Sequence, residues 1–376
     1  VPGIQYRVRL LDPDPALASG EVSDPPPILP LPGRGTLAIH DAPLQLRVEL
    51  IPVLHQLDGE ECMPTITDED VLAMREQLEQ HNPVQEAILT VGEPMPYTDP
   101  IGESGTGFGP VLTALAQRRA DDDPPPNLYY YGLLDPCDGY PPGLLGQAIG
   151  IPAAPTMELA QQRIATGRWS NSGANAAETF VHEIGHTQGR SHVACPGAAA
   201  AGPDVTYPYE GGEIGVWGFG VRDFQIRNAN THTDYMSYCS PTWVSDWQWN
   251  ATYERIRTLT SWDAAGIGMP EDQAVLVGSV DPQAGRTQWW TERGGVTATS
   301  EGHALRFMAG DAVLETAGAQ VDAWSEGTGF TVRAPLPAGW DEEAITAIEY
   351  VGPEQAFAAP RTAVASYHRA GSLATP

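Results

Sequence analysis

The sequence predicts a mixed α/β (α+β) domain followed by a smaller, all-β, sandwich-like domain. Strand-like and helix-like patterns alternate between residues 44 and 265, as in strands that pack against helices. Short β-rich runs separated by glycine and proline follow from about residue 270. We therefore expect three parts in the 376-residue chain: an N-terminal strand with a proline-rich arm (1–43), the α/β domain (44–265) and the β domain (270–376).

The α/β domain is expected to form a mixed sheet with helices. The predicted elements are, in order, a strand at 44–54, a helix at 68–79, a strand at 87–91, a helix at 110–119, a strand at 127–134, a helix at 178–187 and a closing helix at 247–259. The N-terminal strand is predicted at 4–10 and could instead join the β domain. The proline-rich stretch at 24–32 is expected to stay extended along a surface.

Net charge restricts the partners that the protein can have. The charge is −28, and all 20 basic residues are arginine. Such an acidic surface repels nucleic acid and anionic membranes, so neither is expected as a partner. No run of 18 or more apolar residues occurs, so no membrane insertion is expected.

One run places metal-ligand residues at a spacing that suits a helix and a turn: His182-Glu183-Ile184-Gly185-His186-Thr187-Gln188-Gly189-Arg190-Ser191-His192. Residues four apart share a helix face, so His182 and His186 can bind one metal ion. Glu183 lies within reach of a metal-bound water, as a general base. Gly189 can adopt φ > 0 and bring His192 back as a third ligand. Three histidines with an open fourth position indicate one catalytic Zn²⁺ ion.

This run is the signature of the metzincin zinc proteases, and the chain resembles that clan at a second place. Met236, in Asp234-Tyr235-Met236-Ser237-Tyr238, follows His192 by 44 residues and is similar to the methionine of the metzincin Met-turn. The resemblance implies a metzincin-like catalytic domain in which Tyr238 is a switchable zinc ligand or a donor to the oxyanion. The alternative for Tyr238 is a buried tyrosine with a satisfied hydroxyl.

A nearer resemblance involves the residues on either side of Met236. The glycine- and aromatic-rich stretch 207–220 looks like a segment of secreted bacterial metzincins related to mucin-degrading metalloproteases. The stretch 239–247 resembles the segment after the Met-turn in secreted bacterial proteins. Trp243, Trp247 and Trp249 could line a substrate groove or belong to the core.

The four cysteines predict two disulfides and hence an exported protein. Cys195 follows His192 by three residues and Cys239 follows Met236 by three, so the two should meet beside the metal. Cys62 and Cys137 would then pair with each other. Disulfides indicate an oxidising, extracellular compartment. The alternative is that Cys62 is an inhibitory thiolate on the metal.

These patterns together predict a secreted zinc endopeptidase that acts on protein or glycoprotein substrates. Glu183 would deprotonate a zinc-bound water, which attacks the peptide carbonyl. The alternatives are a catalytically silent binding or adhesion module on the same fold, and a zinc amidase. The retained Glu183 argues against a silent module. Calcium is possible because of the acidic run Asp121-Asp122-Asp123, but no calcium-loop pattern supports it.

Overall fold

The structure is a computed structural model that describes residues 4–6, 8–9, 28–29, 35–37, 43–102, 108–198, 200–265, 274–338, 340 and 344–366. The chain divides into two compact units, Val1–Pro43 and Leu44–Pro376. Among the described residues, no helix is both long enough and apolar enough to span a membrane.

The described residues of the first unit form two short strand pairs. Strand β1 (Ile4–Tyr6) pairs with β4 (Gly35–Leu37), and β2 (Val8–Arg9) pairs with β3 (Ile28–Leu29), all antiparallel. The strand predicted at 4–10 thus pairs inside its own unit, and the alternative that it joins the β domain is wrong for these residues. Most of the proline-rich stretch at 24–32 lies outside the described residues.

A seven-stranded mixed sheet forms the centre of the second unit. Its strands are β5 (Gln45–Leu57), β6 (Glu60–Cys62), β7 (Glu86–Val91), β8 (Met95–Tyr97), β9 (Leu128–Leu134), β10 (Gly146–Ala148) and β11 (Ile164–Arg168). The long strand β5 pairs in parallel with β7, β8 and β9, and antiparallel with β6. Beyond β9 lie β11, which is parallel, and β10, which is antiparallel at the sheet edge. The strands β10 and β11 were not predicted from the sequence.

Four α-helices accompany this sheet in the described part of the chain: α1 (Asp68–His81), α2 (Gly109–Asp122), α3 (Gly173–Thr187) and α4 (Asp246–Ala265). Helix α1 begins where the sequence predicts, because Thr67 and Asp70 form a capping box. Helix α3 begins five residues earlier than predicted, at a Ser172 cap whose hydroxyl accepts from the Asn175 N–H.

Between α3 and α4, two short strand pairs shape the connection. Strand β12 (Gly218–Phe219) pairs with β13 (Ile226–Arg227), and β14 (Thr233–Asp234) pairs in parallel with β15 (Thr242–Trp243). The second pair brackets Met236, so it determines where the turn that carries this methionine can lie.

The C-terminal part consists of two sheets. A five-stranded sheet contains, in spatial order, β20 (Gln320–Ala323), β21 (Phe330–Pro335), β16 (Ala274–Asp281), β17 (Arg286–Arg293) and β24 (Val364–Ser366). A four-stranded sheet contains β19 (Ala312–Gly318), β18 (Ala304–Ala309), β22 (Ala347–Val351) and β23 (Ala356–Pro360). The fold is therefore a mixture of α and β structure, with a β-rich C-terminal part.

Alternating side chains of the strands contribute to three hydrophobic cores. On β5, Val48 and Leu50 face α1 and α3, whereas Ile51 faces the core that contains α2. The five-stranded sheet is buried on both faces, because Val277 packs in the α2 core and Leu276 in the core between the two β-sheets. The β-rich part thus shares a core with the α/β part. A separate 270–376 domain stays a prediction.

Candidate metal centre

Helix α3 positions the first two histidines of the predicted metal site. Phe180 and Ile184 are fully buried in the core below the sheet, which fixes the rotation of the helix about its axis. His182 and His186 lie one turn apart on the same face, and their Nε2 atoms approach to 3.1 Å.

A tight turn after α3 brings in the third histidine. Gly189 has φ of +80°, and a Cβ there would lie 2.5 Å from the Pro152 carbonyl oxygen, so the position requires glycine. The chain reverses at this residue and returns His192, whose Nε2 lies 3.1 Å from that of His186.

Each histidine ring is oriented by a backbone carbonyl. The Nδ1 atoms contact the carbonyl oxygens of Tyr235 (2.8 Å, from His182), Arg190 (2.7 Å, from His186) and Ala201 (2.6 Å, from His192). A carbonyl only accepts, so each Nδ1 carries a proton, and the neutral form of each ring presents a lone pair at Nε2. Burial lowers the pKa of His182 to about 4 and that of His186 well below its usual value, so both rings are neutral at pH 7.

The three Nε2 lone pairs converge on one point and cannot satisfy one another. In a tetrahedral site with metal–nitrogen bonds of about 2.0–2.1 Å, ligand atoms lie about 3.3 Å apart. The observed spacing of 3.1 Å is close to this value. His182, His186 and His192 therefore fit a metal ion and could hold one.

Glu183 lies beside the triad as a buried carboxylate. Its Oε2 atom has no hydrogen-bond partner among the described residues, while the Ser325 side chain hydrogen-bonds the carboxylate. Burial, together with the nearby Glu326 carboxylate, raises the pKa of Glu183 well above its usual value. A shift in this direction makes Glu183 a stronger base than an exposed glutamate.

Met236 is fully buried against α3, beside the helix turn that joins His182 to His186. A Cβ on Gly185 would lie 2.4 Å from its Sδ, so only glycine at this helix position allows the contact. The Asp234 carboxylate accepts from the N–H of Met236 at 2.9 Å and of Ser245 at 3.0 Å. The Met236 carbonyl accepts from the Val193 N–H at 2.9 Å, which ties the turn to the residue after His192.

Tyr238 also approaches the histidine triad. Its hydroxyl lies 2.8 Å from His192 Nε2 and hydrogen-bonds the Glu326 carboxylate. Burial and this carboxylate raise the pKa of Tyr238, so the phenol stays protonated at pH 7. Glu326 itself lies 2.9 Å from His192 Nε2. It was not predicted from the sequence, because it belongs to no recognisable motif.

A cavity of about 590 Å³ opens beside the triad. Its lining includes His182, Glu183, Tyr238, Glu326 and His81. The three tryptophans that follow Met236 are not among its lining residues. Trp243 is instead buried 4.8 Å from the His81 ring, and Trp249 packs against the core.

The disulfides join Cys195 to Cys239 and Cys62 to Cys137, the pairs that the sequence spacing predicts. Cys62 is therefore not a free thiolate, and the alternative of a cysteine on the metal is wrong.

The acidic run 121–123, considered from the sequence as a possible calcium site, ends helix α2. Asp122 binds Arg118 and Tyr130, and Asp123 binds Arg293. These two carboxylates are already partnered within the chain.

Comparison with solved structures finds similar chains. Neither protein-family models nor curated proteins match the chain. The chain is similar to the crystal structure of metalloproteinase-II from Bacteroides fragilis, with 18% identity, a TM-score of 0.25, and coverage of 42% of this chain and 46% of that chain. The likeness thus spans less than half of either protein.

Proposed function

We propose that the protein is a secreted zinc-dependent endopeptidase of metzincin type. The proposal is carried by one observation: three imidazoles, each with its Nδ1 on a backbone carbonyl, present their Nε2 atoms to one point. Beside them lies a buried carboxylate, one oxygen of which has no hydrogen-bond partner in the described part of the chain. Three nitrogen ligands are the donor set of catalytic zinc. The two disulfides support export to an oxidising compartment.

The roles of the side chains follow from their positions. Zinc held by the three histidines would polarise a peptide carbonyl and activate water. Glu183 accepts the proton of the attacking water and delivers it to the leaving amine. Tyr238, a protonated phenol beside His192, donates a hydrogen bond to the developing oxyanion. Met236 packs against α3 and takes no part in proton transfer.

Substrates are proposed to be proteins or glycoproteins. Strand β10 lies at the edge of the sheet, next to Glu183 and the cavity. An extended peptide can add to such an edge through main-chain hydrogen bonds. One side chain of that peptide would then enter the cavity beside His182 and Tyr238.

The proposal is tested by zinc content and by cleavage of a panel of denatured proteins. The wild type is compared with Glu183→Ala and with the control Glu254→Ala, which removes an exposed carboxylate from α4. We expect one zinc ion in all three proteins, and cleavage about 10²–10⁴-fold slower in Glu183→Ala alone.

Two results would contradict the proposal: no bound metal under zinc-replete conditions, or equal cleavage by Glu183→Ala and the wild type. Bound zinc without cleavage by any variant would favour the silent binding module.

A further inference from the structure

A segment of the β-rich part enters the cleft beside the metal centre. Residues 324–329, the cleft segment, join β20 to β21. Trp324 anchors the segment at both levels. Its backbone N–H donates to the Gly329 carbonyl at 3.0 Å. Its ring packs closely on Gly109, where an added Cβ would lie 2.1 Å from the ring. The next two side chains, Ser325 and Glu326, reach the catalytic residues.

The cleft segment takes the hydrogen-bonding groups of the sheet edge. The Ser325 N–H donates to the Ala148 carbonyl at 3.0 Å, and its hydroxyl accepts from the Ala148 N–H at 2.8 Å. The Gln147 side chain donates to the Glu326 carbonyl at 2.5 Å. An extended peptide added to β10 would use the same N–H and carbonyl of Ala148, so the segment and such a substrate compete for this part of the edge.

This edge lies directly beside the catalytic carboxylate. A Cβ on Gly146 would lie 2.5 Å from Glu183 Cγ, so β10 and the zinc-binding helix touch here. The Ser325 hydroxyl, which accepts from Ala148, hydrogen-bonds Glu183. The segment therefore contacts the general base as well as the sheet edge.

Glu326 brings a carboxylate from the cleft segment to the histidine triad. Its Oε1 atom lies 2.9 Å from His192 Nε2, and the carboxylate also accepts a hydrogen bond from the Tyr238 hydroxyl. Glu326 lines the cavity together with His182 and Glu183. The carboxylate therefore takes space beside the triad, where a catalytic zinc site keeps a position open for water or substrate.

We propose that the cleft segment holds the site closed, with the Glu326 carboxylate placed against His192, until an extended peptide displaces the segment. The inference rests on the proposed metal site and deepens it, because it assigns a self-inhibitory contact to a residue about 140 positions from the zinc-binding run.

The test uses the full chain and the variant Glu326→Gln, which keeps the side-chain size and removes the carboxylate charge. The control is Glu315→Gln, which makes the same charge change at an exposed position on β19. Two readouts do not depend on cleavage: the visible spectrum of the Co²⁺-loaded protein, which reports the ligand set, and the affinity for acetohydroxamate by calorimetry.

We expect a changed Co²⁺ spectrum and at least about tenfold tighter acetohydroxamate binding in Glu326→Gln, since a site that is open in one molecule of ten binds tenfold more weakly. Glu315→Gln should behave as the wild type. Peptide cleavage, measured in parallel, should also rise in Glu326→Gln.

Unchanged spectrum and acetohydroxamate affinity in Glu326→Gln would overturn the inference. Slower cleavage with unchanged affinity would also overturn it, because Glu326 would then assist the reaction. Tighter acetohydroxamate binding without cleavage by any variant would support the closed site and contradict the endopeptidase proposal.

Discussion

His182, His186 and His192 can act as ligands because each ring is held by a carbonyl oxygen. The three carbonyls come from Tyr235, Arg190 and Ala201, so separate segments of the chain orient one metal site. Such partners fix the tautomer and the ring direction. The same principle of a buried, neutral imidazole applies to His81 in the wall of the cavity.

His81 gives a pH-dependent contribution to stability. Its Nδ1 donates to the Gln77 carbonyl at 2.9 Å, and burial lowers its pKa to about 4. Between pH 6.5 and 4 the unfolded chain binds a proton that the folded chain does not. We expect this contribution, about 3 kcal/mol, to be present above pH 6.5 and lost as pH falls to 4.

Urea unfolding of the wild type and of His81→Gln between pH 7 and pH 4 measures this effect. The stability difference between the two proteins should shrink as the pH falls. If the free energies of unfolding of the two proteins change with pH in parallel, His81 does not make the pH-dependent contribution. Burial raises the pKa of Asp234 to about 6, so this group also makes stability depend on pH. Both proteins contain Asp234, so its contribution cancels in the difference between them.

At the level of elements, the segment after α3 and the turn around Met236 form one support for the metal centre. The Cys195–Cys239 disulfide joins them, and so does the hydrogen bond between Val193 and Met236. The Cys62–Cys137 disulfide instead ties β6 to the segment after β9. The first disulfide therefore lies in the support of the candidate metal centre, and the second does not.

Removing each bridge separates stability from metal binding. Replacing Cys195 and Cys239 by serine should destabilise the fold by about 4 kcal/mol, and so should replacing Cys62 and Cys137, from the entropy of loop closure. Only the first pair should also weaken zinc affinity, by about tenfold or more, because it positions His192. Urea unfolding and chelator competition measure the two quantities. Equal zinc affinities in both variants would contradict this assignment.

At the scale of the whole second unit, the five-stranded sheet joins the α/β and β-rich parts. Trp290 packs in the core with α2, and its neighbour Trp289 in the core between the two β-sheets. The cleft segment leaves this same sheet and reaches the metal centre. Folding of the β-rich part and formation of the site are therefore linked.

We expect Leu44–Pro376 to unfold in one transition. Trp290→Ala and Trp289→Ala should each lower its stability by about 3–5 kcal/mol, although their side chains face different cores. A chain that ends at Ala265 should lose near-UV circular dichroism and bind a hydrophobic dye, because the α2 core is exposed. Calorimetry distinguishes the cases, and two separable transitions would contradict the shared core.

Features that depend on neighbouring residues were predictable from the sequence. The alternation on β5, the cap at Thr67 and the helix that carries His182 and His186 arise from local periodicity and local hydrogen bonds. Gly189 predicted the turn that brings His192 back toward His182 and His186. Short strands such as β10 escaped prediction, because three residues carry too little periodicity.

The candidate metal-ligand set could be predicted from the sequence because all three histidines lie within 11 consecutive residues. The contacts of Glu326 and Ser325 with this set were not, because β20, β21 and the sheet packing on α2 bring them there from far along the chain. The carbonyls that orient the rings were equally hidden, since every residue has one. Tertiary packing determines which of these groups lie at the site, and no local sequence pattern indicates which ones they are.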